Sequence, residues 1–341
     1  MKWPAQGTFA LLALAGAFLP AQNAAHPPQK IPPLPAKAGD TSPHQVFFIP
    51  VAKGVKLEVL DWGGVGTPII LLAGIGYDAH VYDTFAPKLK ARHHVYGITR
   101  RGFGASSVPA PDDGNYASDR LGDDVLAVMA QLRIDKPVLI GHAKAGEELS
   151  SIGSRFPDKI AGLVYLDAGY SYAFYDAKHG DLLLDMIALR NKLDLYLTSS
   201  APDLNAYFSD LHAALPQFSR DVDDFQAELA LIPGLPARTA PPPPVLVALG
   251  AGVEKYSEIH APVLAIFADP HNLGQFAGMD EKTRQTLILD DFARTSAQAD
   301  AFQAGIPGAR VVRLPNASHM IFQSNEADVL REIDAFLAKL H

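Results

Sequence analysis

The 341-residue chain carries 29 Lys+Arg against 37 Asp+Glu, a net charge of −8, with 48% hydrophobic and 19% charged residues. That balance belongs to a folded chain with a large core and excludes a disordered or coiled-coil one. The acidic excess, with no Lys/Arg-rich run, argues against nucleic acid as a partner. The absence of cysteine removes thiol catalysis, disulfides, Cys-ligated zinc and iron–sulfur clusters.

Met1 and Lys2 precede an apolar run from Thr8 to Leu19, followed by Pro20 and the small residues Ala21, Ala24 and Ala25. This three-part layout predicts an export leader over residues 1–25, whose apolar run is too short to span a bilayer as a helix. Residues 26–43 are rich in proline and read as an extended linker. No later stretch is long and apolar enough to cross a membrane, so a soluble, periplasmic or secreted protein is expected, with no membrane partner once the leader is cleaved.

From residue 44 onward short β-rich runs alternate with helical patterns. Val46–Val51 and Val55–Trp62, separated by Lys53-Gly54, read as a hairpin. Pro68–Leu72 is a continuous apolar run, the signature of a strand buried on both faces. A helical stretch over His80–Ala91, a strand over His94–Ile98 and the Gly-rich loop Arg100–Ser106 follow. Ser118–Leu132 has apolar residues at helical spacing. Further strands are expected at Pro137–Ile140, Ala161–Leu166, Pro262–Phe267 and Arg310–Leu314. Helices are expected over Glu147–Phe156, between Glu281 and Phe302, and over Asn325–Leu340. A hairpin followed by strand–helix units predicts an α/β fold with a mostly parallel sheet covered on both faces.

Residues 170–258 break the alternation. They hold helical stretches at Leu182–Leu197 and Val222–Leu231, a proline run at Pro241–Pro244, and 12 Asp/Glu against 6 Lys/Arg. A helical cap inserted between two strands is expected, leaving 44–169 and 259–341 as the core domain. At the carboxyl edge of the sheet it would lie over the crevice where such folds bind ligands.

The run Leu139-Ile140-Gly141-His142-Ala143-Lys144-Ala145-Gly146 places small residues two before and two after position 143. Small residues there let a strand turn abruptly into a helix with a strained residue at the tip. This nucleophile-elbow pattern, with the hairpin, the loop RRGFGASS and a late histidine in order, resembles the α/β-hydrolase superfamily over most of residues 44–341. The resemblance implies an eight-stranded, mostly parallel sheet with a helical cap. It also implies acyl-transfer hydrolysis by a Ser–His–Asp mechanism without cofactor or metal. The family's tip residue is Ser, less often Asp or Cys; here it is Ala143. A methyl group can neither attack a carbonyl nor be activated by a base. Two explanations stay open, a Ser→Ala replacement in an otherwise intact enzyme and a natural loss of the nucleophile.

The resemblance puts the general base at His319, between the last strand and the last helix. It offers two addresses for the acid that orients it. Asp167 ends the strand Ala161–Leu166; Asp269 follows the strand Pro262–Phe267, where the position two residues on holds His271. Asp167 is preferred and Asp269 is the alternative. The oxyanion donors map to the backbone N–H groups of Ile75 and Lys144. Gly74, Tyr77, His142, Tyr170 and Tyr172 are candidates for the substrate pocket. Tyr170, Tyr172, Phe174 and Tyr175 read equally as an aromatic wall for an apolar group and as core between cap and sheet. No run of residues has metal-ligand spacing. The expected function is exported carboxylic-ester hydrolysis, possible on amides or lactones too, by a site whose nucleophile position holds Ala143. The substrate would be a small apolar ester. The alternatives are a non-catalytic binder and a cofactor-free lyase or oxygenase using His319 as base.

Overall fold

The computed structural model describes residues 44–112, 114–198, 203–231, 241–274 and 281–340. The expected leader and linker, 1–43, lie outside the described residues, as do parts of the expected cap at 199–202 and 232–240.

The described residues open with the hairpin β1 (Gln45–Ala52) and β2 (Val55–Gly63), closed at Gly54, whose φ of 75° lies in the left-handed region that glycine occupies without strain. Then come β3 (Pro68–Leu72), β4 (His94–Ile98), α1 (Ser118–Leu132), β5 (Val138–His142), α2 (Gly146–Arg155) and β6 (Gly162–Leu166). Between β6 and the next strand the chain runs through α3 (Leu182–Thr198), α4 (Leu204–Leu231) and α5 (Pro244–Ala251). β7 (Val263–Ala268), α6 (Glu281–Gly305), β8 (Arg310–Leu314) and α7 (Glu326–Leu337) complete it.

The eight strands form one sheet in the order β1-β2-β4-β3-β5-β6-β7-β8. β2 runs antiparallel to β1 and β4, and every other pairing is parallel. β5, β6 and β7 are buried along their whole length, which is why they read as unbroken apolar runs. One face packs under α1 and α2 through Val125, Val128, Leu149 and Ile152; the other is covered by Phe85, Phe322, Ile333 and Phe336.

Two of the expected helices differ from the sequence pattern. The helix expected over His80–Ala91 is two short helical turns, Ala79–Tyr82 and Ala86–Leu89, the second carrying Pro87 in its first turn, where its missing N–H cannot continue a preceding helix. The helix expected from Val222 begins instead at Leu204, capped by Asp203 Oδ1, which accepts from the Asn205 and Ala206 N–H groups at 3.0 and 3.1 Å. Pro216 lies inside this helix and made its first half look broken.

The register positions the site. His142 at the end of β5 pairs with Leu166 at the end of β6, and Leu166 pairs with Ile266 of β7. The residues that follow, Ala143 and Asp167, therefore leave the sheet side by side at its carboxyl edge. Beyond β7 and β8 two loops are tied together: the Asn272 N–H donates to the Ala317 carbonyl at 2.7 Å and the Asn316 N–H to the Pro270 carbonyl at 2.9 Å. That pairing brings the segments carrying His271 and His319 onto the same edge.

Candidate active site

Ala143 has φ 48°, a left-handed conformation that a non-glycine residue holds only when its surroundings impose it. The imposing contacts are close. A Cβ added at Gly146 would lie 2.1 Å from the Ala168 carbonyl oxygen, and one added at Gly141 would lie 3.0 Å from Leu149. Only glycine lets α2 start this near the β6 edge. The tip methyl faces a cavity of about 420 Å³ that also touches Gly74, Ile75, Lys144 and His319.

Asp167 is the second left-handed residue of the edge, with φ 48°. Its side chain is buried, and its Oδ1 accepts from the Ala268 N–H at 3.0 Å. Its Oδ2 accepts from His319 Nδ1–H at 2.6 Å, from His271 Nε2–H at 2.7 Å and from the Tyr170 hydroxyl at 3.3 Å. Burial alone would raise this carboxyl, but the His271 and His319 hydrogen bonds and charges outweigh it and hold it well below the usual range. With its Nδ1 proton on Asp167, His319 keeps Nε2 for chemistry in the cavity. His142 packs beside it, ring centroids 4.6 Å apart, and its Nε2–H donates to the His319 carbonyl at 2.9 Å. Burial, with His319 nearby, pushes His142 down to about 4, so its ring is neutral.

Asp269, the alternative acid, does not join this group. Its carboxylate is bound by Arg313 at 2.7 Å and by the Ser296 hydroxyl at 2.9 and 3.0 Å. The reason is local: Asp269 leaves the strand bonded to the β8 side of the sheet, with its N–H on the Leu314 carbonyl, away from the β5–β6 edge.

Of the other residues singled out by sequence, Gly74, Ile75, Tyr77, His142, Lys144, Tyr170 and Tyr172 all line the cavity. Phe174 and Tyr175 do not. Phe174 packs on Phe302 in the core, and the Tyr175 hydroxyl donates to Asp185 at 2.9 Å. The Lys144 side chain turns away from the tip to ion-pair with buried Glu147, its ammonium 4.6 Å from the Tyr172 ring centroid. Arg100, from the Gly-rich loop, grips Glu148 of α2 with two bonds and donates to the Ala73 carbonyl at 3.0 Å, tying the Gly74–Ile75 loop to the elbow helix.

Sequence reading missed one wall. His271 and a stripe on α6, Asp291, Arg294, Thr295 and Gln298, also line the cavity. His271 Nδ1–H donates to Asp291 at 3.0 Å while Nε2–H donates to Asp167, so both ring nitrogens carry protons. Burial opposes that charge, but the two carboxylates push His271 up to about 10. The i, i+3, i+4, i+7 spacing of polar residues on the buried side of α6 was the available signal.

The fold also assembles sets of possible metal ligands that no sequence spacing announced, because their members come from separate loops. Asp167, His271 and His319 bring three donor atoms within 4.8 Å of one another, as do His44, His80 and Asp83. In the first set the nitrogens facing Asp167 carry protons, and a cation would have to displace them.

A hydrogen-bonded acid–base pair beside a strained elbow at the carboxyl edge of this sheet defines the α/β-hydrolase class. The chain belongs to the alpha/beta hydrolase family, which it matches over residues 69–332. It is 30% identical over 116 residues to a fluoroacetate dehalogenase of Burkholderia sp., covering 33% of this chain and 38% of that one. It is 29% identical over 119 residues to a carbendazim hydrolyzing esterase of Nocardioides sp., covering 35% of this chain and 46% of that one. The chain thus spans less than half the length of these two relatives. Among solved structures it resembles a hydrolase from Pseudomonas aeruginosa, with TM-score 0.55 and 21% identity over 86% of this chain and 98% of that one, a likeness of fold.

Proposed function

We propose that the chain is an exported hydrolase-family protein whose site is built for carboxylic-ester hydrolysis, with the nucleophile position held by Ala143. The observation that carries this reading is the Asp167–His319 pair, hydrogen-bonded at 2.6 Å, with His319 on the same cavity as the elbow tip. His319 is the base, Asp167 orients it and stabilises its protonated form, and the Ile75 and Lys144 N–H groups receive the oxyanion. Each such donor is worth about 3 kcal/mol to a transition state. The mostly apolar wall of Ile75, Tyr170, Tyr172 and Leu246 suits an apolar acyl or alcohol group. The similarity to a carbendazim hydrolyzing esterase points the same way. With Ala143 the covalent route is closed, and His319 can only activate a water or a substrate proton.

The test compares this chain with its Ala143→Ser variant on a panel of p-nitrophenyl esters, with His319→Ala added to the Ser variant as control. The expected result is turnover in Ala143→Ser that His319→Ala abolishes. No turnover across the panel removes the ester reading.

The complete base beside a bare methyl also favours a second reading, in which His319 Nε2 removes a proton from a bound substrate in a cofactor-free lyase or oxygenase. That chemistry would tolerate Ala143 and fail in His319→Ala. A non-catalytic binder would keep its ligand in both.

A further inference from the structure

A second cluster of ligating side chains lies outside the acid–base group. His44 stands directly before β1, His80 is on the short turn Ala79–Tyr82, and Asp83 follows that turn. We propose that these three residues form a binding site for one divalent transition-metal ion of the zinc class, held by two imidazoles and one carboxylate. None of the three takes part in the hydrolytic reading, and the site stands or falls independently of it.

The spacing is that of ion ligands. Zinc bonds of about 2.0–2.2 Å to nitrogen and oxygen, arranged as a tetrahedron, put neighbouring donors about 3.3 Å apart. Asp83 Oδ1 is 3.2 Å from His44 Nδ1, and Asp83 Oδ2 is 3.1 Å from His80 Nδ1. One donor atom from each residue lies within 4.8 Å of the others, a separation that side-chain rotation closes onto one ion. The Asp167 set differs. There His319 Nδ1 and His271 Nε2 stand 2.6 and 2.7 Å from a single carboxylate oxygen, which is hydrogen-bond spacing and leaves room for a proton only.

The surroundings favour the same assignment. Glu58 Oε1, on β2, is 3.6 Å from His80 Nε2, the ring nitrogen left when Nδ1 faces Asp83. The other Glu58 oxygen accepts from the Thr99 hydroxyl at 2.7 Å, so the carboxylate is itself held. A carboxylate behind a ligating histidine fixes its tautomer and strengthens it as a ligand. The His44 ring stands edge-on to Trp62, centroids 5.8 Å apart. Charge also suits a dication, because Asp83 and Glu58 bring two negative charges to two imidazoles that are neutral when they ligate. The side chains of His44 and Asp83 are 7% and 12% exposed and that of His80 29%, which leaves an entry path and a place for water as the fourth ligand. Imidazole nitrogens select zinc and its transition-metal neighbours over magnesium or calcium. An ion here would join the start of β1 to the turn that follows Gly74–Tyr77, and so brace the loop that carries the Ile75 N–H on the cavity wall.

The experiment uses the full chain, without a polyhistidine tag and stripped with EDTA, titrated with Zn²⁺ by calorimetry. His44→Gln, Asp83→Asn and His271→Gln are titrated beside it. The expected result is one ion per chain, bound at least about tenfold more weakly in His44→Gln and in Asp83→Asn, and as tightly as in the parent in His271→Gln. Melting temperatures without metal report whether each variant is folded. Added Zn²⁺ should raise the melting temperature of the parent and of His271→Gln, and raise it less in the other two. No Zn²⁺ binding by the parent overturns the proposal and leaves the three residues as plain ion pairs. Binding that survives both His44→Gln and Asp83→Asn overturns it as well. Binding lost in His271→Gln moves the ion to the Asp167 set, which equally defeats the assignment.

Discussion

At the residue scale, the edge of the sheet concentrates unusual choices within a few ångströms. Ala143 and Asp167 hold left-handed backbone, and His142 and Asp167 are buried titratable groups. His142 is the one whose protonation the fold opposes most directly. Its Nε2–H is committed to the His319 carbonyl, and its Nδ1 is buried with no hydrogen-bond partner among the described residues. Its folded-state value of about 4 lies below the ordinary 6.5. The unfolded chain therefore binds this proton first, and stability falls as pH drops from about 6.5 toward 4. His142→Gln retains a donor for the His319 carbonyl and has nothing to titrate. Chemical denaturation from pH 7 to 4 should show a shallower loss of stability in the variant. Parallel curves would mean that His142 takes up its proton without resistance.

At the scale of elements, the strand–helix junctions decide whether the site exists at all. Gly146 opens α2 against the backbone of the β6 edge, and a methyl there would meet the Ala168 carbonyl at 2.1 Å, one residue from the acid. Because the obstacle is backbone, relief requires moving α2 or the Asp167 turn. Gly146→Ala should cost about 1–3 kcal/mol in urea unfolding and should also disturb the Asp167–His319 bond. A fully stable variant with unchanged His319 ring signals would show that the elbow is looser than its contacts imply. The same junctions explain what could be read from the sequence. β3, β5, β6 and β7 are apolar on both faces, and the small residues around Ala143 are demanded by close packing. Fold, elbow and His319 were therefore legible. Asp167 was preferred over Asp269, but no residue pattern decided between them, because the outcome depends on which neighbour each strand end faces: Asp167 turns to the two histidines and Asp269 to Arg313. The place of His271 beside Asp167 was not foreseen because it arises from two loops paired at Asn272 and Ala317, 45 positions apart. The early half of α4 was hidden by Pro216, since a proline inside a helix cancels the local signal while tertiary packing keeps the helix.

At the scale of the whole molecule, charge is unevenly spread. Of the net −8, the 12 acids and 6 bases of residues 170–258 supply −6, and part of that excess is buried rather than displayed. Asp181, Asp185 and Asp221 are all buried around the α3–α4 contact. Asp185 is paired with Lys255 at 2.5 Å and with the Tyr175 hydroxyl, and so stays ionised. Asp221 has no such cation. Burial and its hydrogen bond to Asp185 push it up to about 7, so at neutral pH it holds its proton in part. A carboxyl raised above its unfolded value favours folding most below pH 4, and that advantage is lost as pH rises through 7. The effect need not stay local, because the Ser171 hydroxyl, on the cavity wall, donates to Asp181 at 2.5 Å in the same cluster. Asp221→Asn imitates the protonated form at every pH. It should raise the melting temperature at pH 8 and leave it unchanged at pH 4. At pH 8 it should also slow proteolytic nicking of residues 182–231, where α3 and α4 lie. Equal melting temperatures at pH 8 would mean that Asp221 ionises in place without cost, and that these helices are indifferent to the charge between them.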